Sequence, residues 1–236
     1  MVAVIMKECK PSDWDRHANT IDLTKLNIHD SLVKTILSTL NTGNVLEIGA
    51  QSGIDAEFLA SSGLNVTAMD YSDVAIRLLR GRRGIEICKA DALSMPFSDN
   101  SFDLVYSQGL LEHFREPQLT KLMKEQKRVV KDGGHVLIDV PNSRSLPTVV
   151  YKQLRMALDR WIVPWETQFS SSGLRRLGEK HDFFFEKMYS YGYIPLIGRK
   201  LDAAMNFCFR ESYREFEKKF GSFYQPCIGI LFRNKK

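Results

Sequence analysis

From Ile28 onward the apolar positions change period repeatedly, and each change marks an element. Leu32, Val33, Ile36, Leu37 and Leu40 recur at helical spacing until Asn41-Thr42-Gly43 stops them. Val45-Leu46-Glu47-Ile48 reads as a short buried strand. Ser52 is then expected to cap a helix that carries Ile54, Phe58 and Leu59 and ends at Gly63. Further strands are expected over 65–69, 85–88 and 102–106, with a helix capped by Ser72 between the first two. Pro117 suits the first turn of a helix running to Val130, which Asp132-Gly133-Gly134 should break before a strand over 136–140. Strands alternating with helices predict an α/β core, a doubly wound parallel sheet with helices on both faces.

Beyond Pro141 the alternation loosens. Residues 149–162 read as an amphipathic helix and 183–189 as a strand, while Leu201, Met205, Phe209, Phe216 and Phe220 fall on one face of another helix. Residues 228–232 can close the sheet as a last strand, which makes it seven-stranded and mostly parallel. No repeat or low-complexity linker interrupts the 236 residues, so a single domain is expected: a core over 28–142, an insertion with helices over 143–225 and a closing strand over 226–236.

Charge adds something that the pattern does not show. The net charge of +5 hides a split: the first 140 residues hold 16 Lys+Arg against 19 Asp+Glu, and the rest hold 17 against 9. Most aromatic residues also lie in the later part, so the two parts should do different work. With 44% hydrophobic residues the chain is neither disordered nor collagen-like. The apolar stretch from Met1 to Met6 is cut off by Lys7, Glu8 and Lys10, and no run approaches a membrane span. Cys9, Cys88, Cys208 and Cys227 show no metal-ligand spacing, so neither a metal site nor a disulfide framework is expected, and a reducing, cytoplasmic setting fits.

Open parallel sheets bind ligands beyond the carboxyl ends of their strands. There the first strand runs into Glu47-Ile48-Gly49-Ala50-Gln51-Ser52-Gly53, whose glycines let backbone approach a ligand and whose following helix offers amides to an anion. Asp70 ends the second strand and Asp91 follows the third. The dinucleotide pattern G-x-G-x-x-G is absent, since position 51 is Gln. An acid-lined cleft suits a nucleoside that carries an ammonium group and a sulfonium.

The segment Ala90-Asp91-Ala92-Leu93-Ser94-Met95-Pro96-Phe97-Ser98-Asp99-Asn100-Ser101-Phe102-Asp103-Leu104-Val105 carries a resemblance to a known family. It is supported by Val45-Leu46-Glu47-Ile48-Gly49, Leu111-Glu112-His113 and Val130-Lys131-Asp132-Gly133-Gly134. Over residues 43–142 the chain resembles the class I S-adenosylmethionine-dependent methyltransferases, particularly the group that includes quinone-biosynthesis methyltransferases. The resemblance implies a Rossmann-like methyltransferase fold with S-adenosyl-L-methionine as cofactor. It also implies that Glu47 faces the methionine amino group, that amides from Gly49 to Gly53, Ala50 and Gln51 included, face the amino-acid portion, that Asp70 holds the ribose, that Asp91 faces the adenine amino group and that Ala92 belongs to the cofactor site. Tyr71 would border the adenine, with Ser107 and Gln108 beside the cofactor. Gln51 departs from the glycine usual in the middle of this loop, which allows another loop geometry.

Methyl transfer needs positioning, exclusion of water and sometimes a base. His113 is the one histidine near the catalytic edge and is the candidate base. Trp14 and His17 belong to an expected N-terminal helical lid, and the insertion after the fifth strand is expected to cap the substrate. The leading expectation is an enzyme acting on a small, partly apolar or aromatic acceptor. An RNA or protein methyltransferase using the basic C-terminal part is the second reading, with nucleic acid not favoured because the charges alternate with acids. A non-catalytic cofactor-binding protein is the third. Trp161, Trp165 and the basic residues of 147–165 also allow peripheral membrane contact.

Overall fold

Nearly uninterrupted apolar strands can be buried only if both faces of their sheet are covered, and that is the arrangement found. The computed structural model describes residues 29–158, 166–191 and 225–235. Its elements are α1 (Asp30–Thr39), β1 (Asn44–Ile48), α2 (Ile54–Ser61), β2 (Asn65–Asp70), α3 (Asp73–Leu79), β3 (Ile85–Lys89), β4 (Phe102–Gln108), a 3-10 turn (Leu111–His113), α4 (Gln118–Val129), β5 (Val130–Pro141), α5 (Leu146–Ala157), α6 (Ser171–Lys180), β6 (Phe183–Tyr191) and β7 (Cys227–Asn234). The strands form one seven-stranded sheet in the order β3-β2-β1-β4-β5-β7-β6. β1 to β5 pair in parallel, and β7 runs antiparallel to both β5 and β6.

Successive strand residues alternate between the two faces, so two separate cores form. One joins Leu46, Ile48, Val105, Ile138, Ile230 and Phe232 to Leu122 and Met123 of α4 and Leu174 of α6. The other joins Val45, Leu104, Tyr106, Leu137 and Leu231 to Leu32 and Ile36 of α1 and Ala56 and Leu59 of α2. Strand order reverses between β1 and β4, and that switch point opens the crevice in which such sheets hold ligands.

The C-terminal strand joins the sheet as expected and lies between β5 and β6, with Ile138 opposite Ile230 and Phe185 opposite Phe232. Three sequence expectations need correction. Asp132-Gly133-Gly134 does not separate the helix from the strand: α4 ends at Val129 and β5 starts at Val130 and runs through these residues. The β4–β5 register shifts between Phe102 and Leu104, and a Cβ on Gly134 would lie 2.9 Å from the Asp103 carbonyl oxygen, so glycine there permits the close approach. Ser52 does not cap α2: the N-cap is Gly53 in a left-handed conformation, with no side-chain cap. Phe58 on α2 is exposed rather than core.

Ser72 does cap α3, accepting from the Ala75 amide at 3.2 Å. In α5 the apolar residues Val149, Val150, Leu154 and Leu158 are exposed rather than packed into the sheet. No helix among the described residues is long and apolar enough to cross a membrane. The N-terminal lid with Trp14 and His17, Trp161 and Trp165, and the helix expected over 201–220 lie outside the described residues.

Candidate cofactor and acceptor site

At the carboxyl end of β1 the chain must turn sharply into α2, and three residues do so with positive φ: Gly49 at 76°, Gln51 at 46° and Gly53 at 68°. Gln51 therefore takes a backbone shape that glycine adopts readily. The Gly49 and Ala50 amides both donate to the Met69 carbonyl, at 2.8 and 3.0 Å, and the Gln51 amide donates to Asp70 Oδ2 at 2.9 Å. A Cβ on Gly49 would lie 3.2 Å from Leu110 Cδ1, so this turn and the loop after β4 face each other closely.

The expected acids stand along this edge in different environments. Glu47 is 5% exposed, and its Oε2 has no hydrogen-bond partner. Burial first, and the Asp55 charge second, push its carboxyl well above the usual range. Asp70 also accepts the Ser72 amide at 2.9 Å, so its carboxylate ties the glycine turn to the start of α3. Asp91 Oδ1 accepts the Leu93 amide at 2.8 Å, while Ala92 packs against the core. Tyr71 is exposed at the mouth of β2.

Residues from β4 divide between the sheet faces. Ser107, paired opposite Ile48, is wholly buried and its Oγ has no partner. Gln108 Nε2 donates to the Tyr191 hydroxyl at 3.1 Å. His113 sits in the 3-10 turn with Nε2 3.9 Å from Glu112 Oε1.

Sequence reasoning did not single out the polar groups beside Gln108. Asp139 is 2% exposed, and its two carboxylate oxygens accept the Tyr189 and Tyr191 hydroxyls at 2.9 Å each. Burial raises its pKa to about 7 against the opposing effect of both hydroxyls. Glu112 is 2% exposed with Oε2 unpartnered, and burial raises it to about 8. His29, at the start of α1, binds Asp55 of α2 through its amide at 2.9 Å and through Nδ1 at 2.5 Å, and its ring edge meets Tyr191. Signals did exist. An acid interrupts Val136-Leu137-Ile138-Asp139-Val140 at a strand's carboxyl end, and Gly229 interrupts an apolar strand. A Cβ on Gly229 would lie 2.0 Å from Tyr189 Cζ, so this glycine makes room for the Tyr189 ring.

Residues 46–138 match the family model described as "Methyltransferase domain". Demethylmenaquinone methyltransferase of Renibacterium salmoninarum is 37% identical over 95 residues, which are 40% of this chain and 39% of that protein. Residues 46–138 thus carry a methyltransferase domain, and the chain is similar to the class I S-adenosylmethionine-dependent methyltransferases. The matches cover 39% and 44% of the lengths of two demethylmenaquinone methyltransferases among these relatives. A relative from Mus musculus named "Probable tRNA methyltransferase 9B" shares 30% identity over 139 residues, covering 58% of this chain and 28% of that one. In fold the methyltransferase domain is similar to a Thermotoga maritima S-adenosylmethionine-dependent methyltransferase, with a TM-score of 0.68 at 17% identity over 96% of this chain and 100% of the other.

The family implies S-adenosyl-L-methionine as cofactor, and the residues of the methyltransferase domain fit it. A buried carboxylate oxygen without a donor, Glu47 Oε2, suits an amino group. Gln51 takes a positive φ in this turn, as Gly49 and Gly53 do.

Proposed function

We propose that the chain catalyses methyl transfer from S-adenosyl-L-methionine to a small acceptor that is partly apolar or aromatic. The observation that carries this reading is the buried, unpartnered Glu47 carboxylate oxygen beside a turn with positive φ at 49, 51 and 53. On this reading Glu47 receives the cofactor's amino group, and amides of Gly49, Ala50, Gln51 and Gly53 face its carboxylate. Asp70 holds the ribose, and Asp91, Ala92 and Tyr71 border the adenine. Ser107 and Gln108 lie beside the cofactor. The bound cofactor supplies an electrophilic methyl on a sulfonium, which an acceptor lone pair displaces in line while the sulfur keeps the bonding pair.

The chain's own residues then have positioning work to do. Leu110 packs over Gly49, and the 3-10 turn sets His113 beside the acceptor, where it serves as the base that removes a proton. α5, which follows β5, supplies apolar wall from Val149, Val150, Leu154 and Leu158. Calorimetry with S-adenosylmethionine and with NAD, followed by measurement of S-adenosylhomocysteine formation over a panel of small acceptors, tests the reading. Tight NAD binding, or no S-adenosylmethionine binding by a folded chain, refutes it. Turnover on RNA alone would move the acceptor to nucleic acid.

A further inference from the structure

The roles above leave the carboxyl of Glu112 without a task, although it is the most unusual group on the acceptor side. It lies in the turn just after β4, 2% exposed. Its Oε1 is 3.5 Å from where a Cβ on Gly109 would stand, and its Oε2 has no hydrogen-bond partner. The turn is not free to swing that oxygen into water. The Glu112 carbonyl accepts the Thr167 amide at 2.6 Å, and the Thr167 hydroxyl donates to the Phe114 carbonyl at 3.0 Å, so residues beyond α5 clamp the turn from outside.

The surroundings decide what could satisfy such a carboxyl. Asp139 belongs to the same neighbourhood, since the Gly109 amide donates to its carbonyl at 2.9 Å and the two acids sense each other electrostatically. His113 Nε2 stands 3.9 Å from the other oxygen, Oε1, and two further cations near these acids have partners elsewhere: Lys152 is paired with Glu166, and His29 with Asp55. A buried carboxyl among acids repels an anion, and an ester or ether offers it no donor. An ammonium offers both N–H donors and the opposite charge.

Resting on the methyl-transfer reading, we propose that the methyl acceptor is an amine whose protonated nitrogen docks on the Glu112 carboxyl, with Asp139 as the second acid of the same subsite. Docking gives Oε2 the donor it lacks and favours the ionised form of Glu112; the ammonium then gives one proton to His113, which frees the lone pair that forms the N–C bond as the S–C bond breaks. Asp139, already held by Tyr189 and Tyr191, adds its field without a direct bond. The tyrosine pair thereby fixes which way the amine approaches.

The test is calorimetry on the full chain loaded with S-adenosylhomocysteine, using 2-phenylethylamine, its neutral counterpart 2-phenylethanol and the anion 3-phenylpropanoate at pH 7. The amine should bind at least about tenfold more tightly than the alcohol, as expected for a charge-assisted hydrogen bond, and the anion should not bind. Glu112→Gln should remove that preference and leave the alcohol's affinity within about twofold. Asp139→Asn should reduce the preference several-fold and serves if the first variant does not fold, as judged by thermal melting. Equal or weaker binding of the amine, no amine binding, or a preference that survives in folded Glu112→Gln overturns the proposal. Methyl transfer to hydroquinone but to none of a set of arylalkylamines would overturn it too, while sparing the methyl-transfer reading. Failure of S-adenosylhomocysteine itself to bind would count against that reading instead.

Discussion

Replacing Gly53 by alanine separates two costs that are usually confounded, because the same chain supplies a matched control. Gly53 has φ of 68° and Gly133 has φ of 70°, so an added Cβ is equally unwelcome to both backbones. Left-handed backbone costs an L-residue about 1–2 kcal/mol, and the lower entropy of the unfolded alanine chain returns about 0.4–1 kcal/mol. Gly133→Ala meets nothing within 4 Å and should therefore cost only about 0–1.5 kcal/mol. Gly53→Ala would place its Cβ 2.5 Å from Leu79 Cδ2 and 3.2 Å from Arg82 Cγ. Neither neighbour yields easily. Leu79 is wholly buried, and Arg82 is held by its Nε donating to the Ser52 carbonyl at 2.7 Å and by Glu57 at 3.1 Å. Overpacking of this kind adds about 1–3 kcal/mol, so Gly53→Ala should be the less stable of the two by that amount. Urea unfolding at equal slope reads the difference directly. A gap below about 0.5 kcal/mol would refute the reasoning, because it would mean that the turn has room the geometry denies it.

Four further outcomes are expected. Asp70→Ala should weaken S-adenosylmethionine binding at least tenfold by calorimetry, since it removes the ribose contacts proposed for this carboxylate and frees the Gln51 amide that it now holds. His113→Gln should lower turnover about 100-fold with cofactor affinity unchanged, and activity within a few-fold of the parent would return His113 to a structural role. Glu112 has a carboxyl pKa raised to about 8, so the folded state binds the extra proton and the group's stabilising contribution is lost as pH rises from about 4.5 to 8; melting curves of Glu112→Gln should be flatter across that window, and parallel curves would contradict the assignment. Leu154→Asp in a folded chain should slow acceptor turnover without dissociating S-adenosylhomocysteine, whereas release of the parent from anionic vesicles by salt would assign α5 to a membrane surface instead.

The parts of the fold that could be read in the sequence are those with local causes. A helix period, a serine cap before α3 and a glycine turn after β1 each act within a few residues, and all three were placed. The position of β7 was not legible, because pairing Ile138 with Ile230 depends on two faces meeting across the whole insertion. The same holds for the site. Glu47, Gly49, Asp70 and Asp91 stand at the carboxyl ends of successive strands, a local pattern, so this acid-lined edge is legible in the sequence. Asp139 acquires its character from Tyr189 and Tyr191, about fifty positions away, and Glu112 from the walls that close over it. A sequence states which acids exist; it does not state which ones lose their water.

The neck formed by Asn142 is where the family pattern stops being compulsory. Its amide donates to the Pro226 carbonyl at 2.7 Å, and its side-chain nitrogen donates to the Gln225 carbonyl at 2.9 Å, so β5 and β7 are stapled where the insertion leaves and returns. The segment between them thus begins and ends at one point, yet it is not free of the sheet: α6 sets Leu174 in the core and β6 pairs with β7. An engineer can therefore vary the exposed face of α5 while α6 and β6 keep their contacts.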